Sequence, residues 1–471
     1  MKLLCHRSTA CALLFQILPA AAAPVPQWGP TARLLKDGAF AKEGLDTDNS
    51  GQCYSAGFET LPNRAILVRR SPPGVLNGTG LPPAWMIGGV QDSAFAGVDA
   101  EAGGAFSFAV GTHYPAGANS PVSNLLVAKY DSAMNPVASF VPAVIPGLPG
   151  AEMSGCRVII SPFNVAAVPV IFVCGCTENG IFVLCLDRQN LLPLASWGNS
   201  GAFSVAGSCP KHAMPGIFTN QPIFSSCRQS FIELSGTSLY LAGTLNGNFV
   251  AARVNALTGA LVAPFLVKFT AAGTSNVKAM AVAGTQANAL VTLVGGTVDV
   301  GWRANGAPAF LNRGQNFFGN TLLTMNDVEM QSVAGGHFLH IGGKQTGGFG
   351  QVWRFWQPIG GGGVLVFSRP YGVAADAGNE VYDLALGTGA WPNWTFATGG
   401  KGNAGSYDAP LLEVDAVGTA THAAPINAQP TWPDRGNAAL YHAGGTVFTH
   451  GNQDSQVAPS PWDGRNVRWN P

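Results

Sequence analysis

The sequence predicts an all-β ring of repeated four-stranded units, a β-propeller. Two landmarks that share one period predict the repeat, and a strand lacking at one end but available at the other predicts closure. The first landmark is a short apolar strand ending in a polar residue: "AILVRRS", "LLVAKYD", "FVLCLD", "FVAARVN", "VDVGWRAN", "QVWRFWQ", "PLLEVD" and "RNVRWN". These strands end at Ser71, Asp131, Asp187, Asn255, Asn305, Gln357, Asp415 and Asn470, a mean spacing of 57 (399 residues over seven intervals). The second is a strand ending in glycine ahead of each one, at Gly57, Gly111, Gly175, Gly243, Gly295, Gly342, Gly399 and Gly451. Its mean spacing is about 56 (394 residues over seven intervals). Self-similarity at a fixed period is the mark of a repeat architecture.

The elements follow in order. The start, "MKLLCHRSTACALLFQILPAAAAPVPQW", has basic Lys2 and Arg7, an apolar stretch and a small-residue site at Ala21-Ala22-Ala23. That pattern predicts a cleaved secretory signal over residues 1–23 and a single propeller domain over 24–471. A representative unit, Val277 to Phe318, reads as "VKAMAVAG", "ALVTLVGG", "VDVGWRAN" and "PAFLNRGQNFF". Alternation and turn residues separate its four strands, and four short antiparallel strands repeated radially make a propeller blade. The last copy reaches Pro471 just after its third strand. "ARLLKDGAF" (Ala32 to Phe40) matches "ASWGNSGAF" (Ala195 to Phe203), a fourth strand. Segment 31–40 is therefore expected to complete the last blade and remove an exposed sheet edge. Eight blades are expected, with seven as the alternative.

The stretch "LDTDNSGQCY" (Leu45 to Tyr54) resembles half of a calcium loop, with Asp46, Asp48, Ser50 and Gly51 in suggestive places. The twelfth loop position is Gly57, where a calcium loop needs a bidentate Glu. The stretch aligns with "VDAEAGGAFSFAVG" and is expected to be the turn between the first two strands of blade one, capped by Asp and Ser side chains.

Composition narrows the function. Charged residues make up 11% of the chain and 61 residues are Gly, against roughly 25% charge and about 7% Gly in ordinary domains. Removing Lys2 and Arg7 from 25 basic residues leaves 23 against 25 acidic ones. No cluster of Lys and Arg is available for a phosphate backbone, which excludes a nucleic-acid partner. After the signal, no stretch approaches the 18 apolar residues of a membrane-spanning helix. The chain is expected to be secreted, periplasmic or on the cell surface, as a monomer. Seven cysteines remain after the signal: Cys53, Cys156, Cys174, Cys176, Cys185, Cys209 and Cys227. An exported compartment permits disulfides, while Cys174 and Cys176 are too close for a zinc knuckle. The connectivity among Cys156, Cys174, Cys176 and Cys185 stays open. Cys209 and Cys227 bracket the Pro-containing segment "SCPKHAMPGIFTNQPIFSSCRQS" and are expected to close it with a disulfide.

"FVLCLDRQNLLPLASWGNSGAFSV" and "NFVAARVNALTGALVAPF" resemble the bacterial Delta-60 β-propeller repeat, a domain of unknown function. The resemblance spans roughly residues 40 to 415. It implies a secreted or surface propeller and transfers no catalytic residue. The turn "VNALTGALV" also resembles that of quinoprotein dehydrogenases, but the 11 Trp here do not recur in the phase that family uses.

Two residues before the third-strand anchors stand Arg69, Lys129, Cys185, Arg253, Arg303, Phe355, Glu413 and Arg468. Five are basic. Such a collar either holds an anion or, as expected here, bonds loop carbonyls of neighbouring blades through stems that pass between packed sheets. His337 and His340 are three apart in a strand and face opposite ways, so a shared metal is not expected. No Ser-His-Asp spacing, phosphate loop, HExxH or paired carboxylate is readable, so no catalytic residue, metal ligand or cofactor is assigned. Ligand-binding candidates come from the long loops, where function concentrates: His113, Tyr114, Lys211, His212, Tyr407, Asp408, Asp454, Trp462 and Asp463. The expected function is a binding or surface-interaction module for an extracellular glycan or protein. The alternative is a propeller-fold hydrolase or lyase acting on an extracellular polymer.

Overall fold

A computed structural model describes residues 25–26, 33–35, 38–60, 63–72, 76–81, 92–117, 122–210, 230–269, 276–284, 286–293, 296–303, 308–311, 323–345, 350–358, 363–371, 379–388, 391–400, 411–422, 434–442, 446–454 and 462–470. All regular structure in these residues is β. Two short N-terminal strands, β1 (Val25–Pro26) and β2 (Arg33–Leu35), precede six antiparallel blades. Blade 1 holds β3 (Gly38–Thr47), β4 (Cys53–Thr60), β5 (Asn63–Arg70) and β6 (Leu76–Gly80). Blade 2 holds β7 (Asp92–Ala100), β8 (Phe106–Tyr114), β9 (Asn124–Asp131) and β10 (Pro136–Phe140). Blade 3 holds β11 (Met153–Val165), β12 (Val168–Thr177), β13 (Gly180–Asp187) and β14 (Ala202–Ala206). Blade 4 holds β15 (Ser230–Ser235), β16 (Ser238–Leu245), β17 (Asn248–Asn255) and β18 (Leu261–Phe269). Blade 5 holds β19 (Asn276–Ala283), β20 (Gln286–Leu293), β21 (Gly296–Arg303) and β22 (Pro308–Leu311). Blade 6 holds β23 (Leu323–Val333), β24 (Gly336–Gln345), β25 (Gly350–Pro358) and β26 (Val364–Tyr371).

The remaining strands correct the eight-blade expectation and its seven-blade alternative. β27 (Glu380–Leu386), β28 (Thr395–Gly400), β29 (Leu412–Val414), β30 (Ala420–His422), β31 (Asp434–His442), β32 (Thr446–Asp454) and β33 (Trp462–Asn470) form one nine-stranded sheet with β1 and β2. A single backbone pairing, Gly400↔Arg435, joins β28 to β31, so the last two expected units are not separate blades. The propeller has six four-stranded blades and this larger sheet. The first strands of the blades touch in sequence, β27 and β31 continue the series, and β31 touches β3.

Segment 31–40 pairs with the last third strand as expected over part of its length, and its bounds are corrected. β2 pairs with β33 through Arg33↔Arg465 and Leu35↔Gly464, and β1 pairs with β33 through Val25↔Asn470 and Pro26↔Trp469. Residues 38–40 instead belong to β3, where Phe40 faces Gly57. The change of partner falls within the nine residues that had been matched to a single fourth strand.

Both sequence landmarks have a physical cause. The polar residue closing a third strand starts a turn. Asp131 Oδ1 accepts the N–H groups of Ala133 at 2.9 Å and Asn135 at 2.8 Å. Asp187, Asn255 and Asp415 do the same for Gln189, Leu257 and Val417. The recurring glycine answers a β-bulge in the first strand, which pushes a carbonyl against the second. Bulges lie between Phe95 and Gly97, Gly155 and Arg157, Met325 and Asp327, and Val381 and Asp383. A Cβ on Gly111, Gly175, Gly343 or Gly399 would overlap the carbonyl oxygen of Ala94, Ser154, Thr324 or Glu380. In blade 6 this glycine is Gly343, one residue beyond the expected Gly342.

The apolar core lies between sheets. Blades 2 and 3 enclose Phe108, Val127, Val173 and Leu184, and blades 3 and 4 enclose Phe172, Val183, Leu241 and Val250. Cys53 against Phe448 joins blade 1 to the nine-stranded sheet.

Candidate functional site

The first strands converge on a central cavity of about 400 Å³. Its wall takes residues from β3, β7, β11, β15, β19, β23, β27 and β31, and carries Glu43, Asp46, Asp99, Glu233, Asp327, Glu329 and Asp383 against one base, Arg157. Most of these charges are tied. Asp46 accepts the Ala100 N–H at 2.6 Å, Asp99 that of Ile160 at 2.5 Å, Asp327 that of Leu384 at 2.9 Å and Asp383 that of Ala439 at 2.7 Å. Each bond runs from a first-strand carboxylate to the next first strand in the ring. Arg157 reaches across the wall to pair with Glu233 and, at 3.7 Å, with Glu43.

Burial sets how these groups titrate. It raises Asp46 well above the ordinary carboxylate value, and the neighbouring Asp99 adds to the rise. Burial pushes Asp99 up to about 6 against its hydrogen bonds from Ile160 and Asp46. The two carboxyls hydrogen-bond each other. Burial raises Glu329 as well, reinforced by Asp327 and Glu233. Burial works against the charge of Arg157, but Glu233 and Glu43 outweigh it and hold the guanidinium more firmly protonated than usual.

Asp99 also borders a second cavity of about 470 Å³, lined by Glu101, Ser161, Asn164 and Arg188. Arg188 Nε lies 3.4 Å from Glu101. This mouth opens beside the turns between first and second strands.

The sequence candidates fall only partly among the described residues. His113 and Tyr114 lie in β8 rather than in a loop, and His113 is buried. Asp454 ends β32, and Trp462 and Asp463 open β33, with Asp454 paired to Trp462 in register. Lys211, His212, Tyr407, Asp408 and Cys227 lie outside the described residues. No disulfide forms among the described residues, and Cys209 is buried in the seam between blades 3 and 4. His337 faces Ser332, while His340 bonds Thr395 at 2.6 Å on the other face. Among the described residues no group of three or more His, Cys, Asp or Glu is arranged to hold a metal ion.

Among the described side chains, the basic collar is structural. Arg69 donates to the Ser132 carbonyl, Lys129 to that of Gln189 at 3.4 Å and Arg354 to that of Ala416 at 2.9 Å, each in the turn that follows the next third strand in the ring. Their cations lie over Tyr54, Phe106 and Phe338. Arg253 lies over Tyr240 in the same way. Register corrects one member: Arg354, paired with His340, takes the place expected for Phe355. The expected calcium-like stretch is a turn. Asp48 Oδ1 accepts Ser50 N at 2.9 Å, Ser50 Oγ at 2.6 Å and Gln52 N at 3.0 Å, and Gly51 has φ +76°. Trp197 docks on the next blade's turn, donating Nε1–H to Ala256 O at 2.9 Å.

No protein-family model matches the chain, and no curated protein matches it either. Solved structures do. The Dos1 propeller is similar at a TM-score of 0.52 with 8% identity, over 95% of this chain and 94% of that one. The WD40 domain of SCAP from fission yeast follows at 0.45 and 9%, over 95% and 98%. The polysaccharide lyase Uly1 is at 0.42 and 12%, over 78% and 88%. The first likeness shows the propeller fold.

Proposed function

We propose that this chain is an exported propeller of Delta-60-like repeats that works as a binding or surface-interaction module. One observation carries the reading: the channel charges are spent on ties between first strands, so the ring is a stiff frame with a polar mouth at Glu101, Asn164 and Arg188. An acidic channel behind that mouth repels polyanions and favours a neutral or cationic ligand, such as an uncharged glycan or a basic protein segment. Export rests on the N-terminal pattern, and the monomeric state is part of the same proposal.

The alternative is a hydrolase or lyase acting on an extracellular polymer. The raised carboxyls of Asp46, Asp99 and Glu329 favour it, because perturbed acids gather at catalytic sites. Against it, Asp46 and Asp99 hydrogen-bond each other directly, closer than the roughly 5 Å or more that separates glycosidase carboxyl pairs. Screening the chain from residue 24 onward against neutral, cationic and anionic glycans and peptides tests both readings. Binding to neutral or cationic ligands that is weakened by Glu101→Ala or Arg188→Ala is expected. Turnover of a polymer would establish the enzyme, and binding confined to polyanions would refute the module as proposed. Cell fractionation with N-terminal sequencing tests export.

A further inference from the structure

Five thiols, those of Cys156, Cys174, Cys176, Cys185 and Cys209, share one core cluster at the seam of blades 3 and 4. They are not equivalent. Cys174, Cys176 and Cys209 are buried, whereas Cys156 is only half-buried, in the bulge between Gly155 and Arg157. Cys156 Sγ accepts the Ser230 N–H at 3.4 Å, and the Cys174 thiol donates to Ser230 O, also at 3.4 Å. Cys176, on the facing strand, donates its S–H to Cys156 and also lies against Cys209.

We propose that Cys156 and Cys176 are a redox pair that closes a disulfide between the first and second strands of blade 3, with Cys156 as the attacking thiolate. The hydrogen bond from Cys176 and those from Ser230 pull the Cys156 thiol below its ordinary value, whereas burial pushes Cys174 and Cys176 up. Thiolate character therefore falls on the least buried of these residues, as in reactive cysteines. The oxidant is a low-molecular-weight disulfide. Cys156 thiolate attacks one of its sulfurs, forming a mixed disulfide and expelling one thiolate. Cys176 passes its proton to the first expelled thiolate and attacks Cys156 Sγ, forming the Cys156–Cys176 bond and expelling the second thiolate, which takes a proton from water. Two protein thiols lose two electrons, and one small disulfide becomes two thiols. The proposal does not depend on the binding function.

The test uses the whole chain, reduced, then treated with glutathione disulfide, alkylated and mapped by fragmentation mass spectrometry. A Cys156–Cys176 linkage in the wild type is expected. Cys176→Ser should leave glutathione on Cys156, because no resolving thiol follows. Cys156→Ser should abolish the linkage and leave Cys176 unmodified. Alkylation of both Cys156 and Cys176 after oxidation, or a Cys176–Cys209 bond in their place, would overturn the proposal. The wild-type map decides even if either variant fails to fold.

Discussion

Glu413 should destabilise this propeller at neutral pH, and replacing it should show by how much. It lies in β29 opposite Phe396, at the position where Arg69, Lys129 and Arg354 tie other blades to their neighbours. It is 1% exposed, and both carboxyl oxygens are buried without a hydrogen-bond partner. Burial raises it from 4.5 to about 8. Below pH 4.5 the group is neutral in both the folded and the unfolded chain and costs nothing through ionisation. Above that, the unfolded chain ionises while the folded one stays protonated, so stability falls until pH passes 8. At about 1.4 kcal/mol per pH unit, the interval is worth about 5 kcal/mol in full and about 3 kcal/mol at pH 7. Glu413→Gln keeps the shape and removes the titration. Urea unfolding at pH 4, 5.5, 7 and 8 should show variant and wild type within about 1 kcal/mol at pH 4 and the variant ahead by about 3 kcal/mol at pH 7. A difference independent of pH would refute this account of the site.

Four further outcomes follow from the same geometry. Gly111→Ala puts a Cβ into the Ala94 carbonyl and should cost about 3 kcal/mol in chemical denaturation, whereas Gly236→Ala, at φ +56° in open space, should cost about 1 kcal/mol. Trp197→Ala empties a fully buried site and removes the bond to Ala256; a loss of about 4 kcal/mol is expected in the same measurement. Because folding raises Asp99 to about 6, its contribution is present below pH 4 and is lost as pH rises to 6; Asp99→Asn should flatten the melting temperature across that window. Deleting residues 24–37 removes β1 and β2, exposes the β33 edge and should bring aggregation in light scattering with a broader melt; a melt matching the full chain would show that these strands do not hold the ring.

Repeat period and strand content were legible because each rests on a local necessity. An Asx turn needs Asp or Asn where the third strand stops, and a bulge carbonyl excludes any Cβ from the facing glycine. Both leave a residue at a fixed phase. Blade separation was not legible, because Gly400↔Arg435 is a backbone pairing with no side-chain signature. The channel was missed although part of it was written in the sequence. Asp46 and Asp99 are 53 residues apart, 11 and 12 residues before the glycine landmark, and Asp327 and Asp383 are 56 apart, 15 and 16 residues before it. The acids looked scattered because they fall at two strand positions, Asp46, Asp99 and Glu233 at one and Asp327 and Asp383 at another, and blade 3 interrupts the first with Ile159. Arg157 pairs with residues from two other blades, and nothing in its local sequence announces either partner.

The ties that charged side chains and Trp197 make to the backbone of a neighbouring blade share a direction. Asp46 and Arg69 of blade 1 reach blade 2, Asp99 and Lys129 of blade 2 reach blade 3, and Trp197 of blade 3 reaches blade 4. Asp327 and Arg354 of blade 6 reach strands of the nine-stranded sheet, and Asp383 of that sheet reaches β31. Carboxylates on the first strands take backbone N–H groups of the following strand, and cations on the third strands give to backbone carbonyls of the following turn. A charged side chain bonded to backbone forms a strong hydrogen bond and places few demands on its neighbour's sequence, because every blade offers N–H and C=O at the same places. Blades can then diverge in side chains, as Cys185 and Glu413 do at collar positions, while the ring keeps its register. That freedom accounts for a propeller whose fold is plain at 8% identity to another while its repeats differ so much from one another.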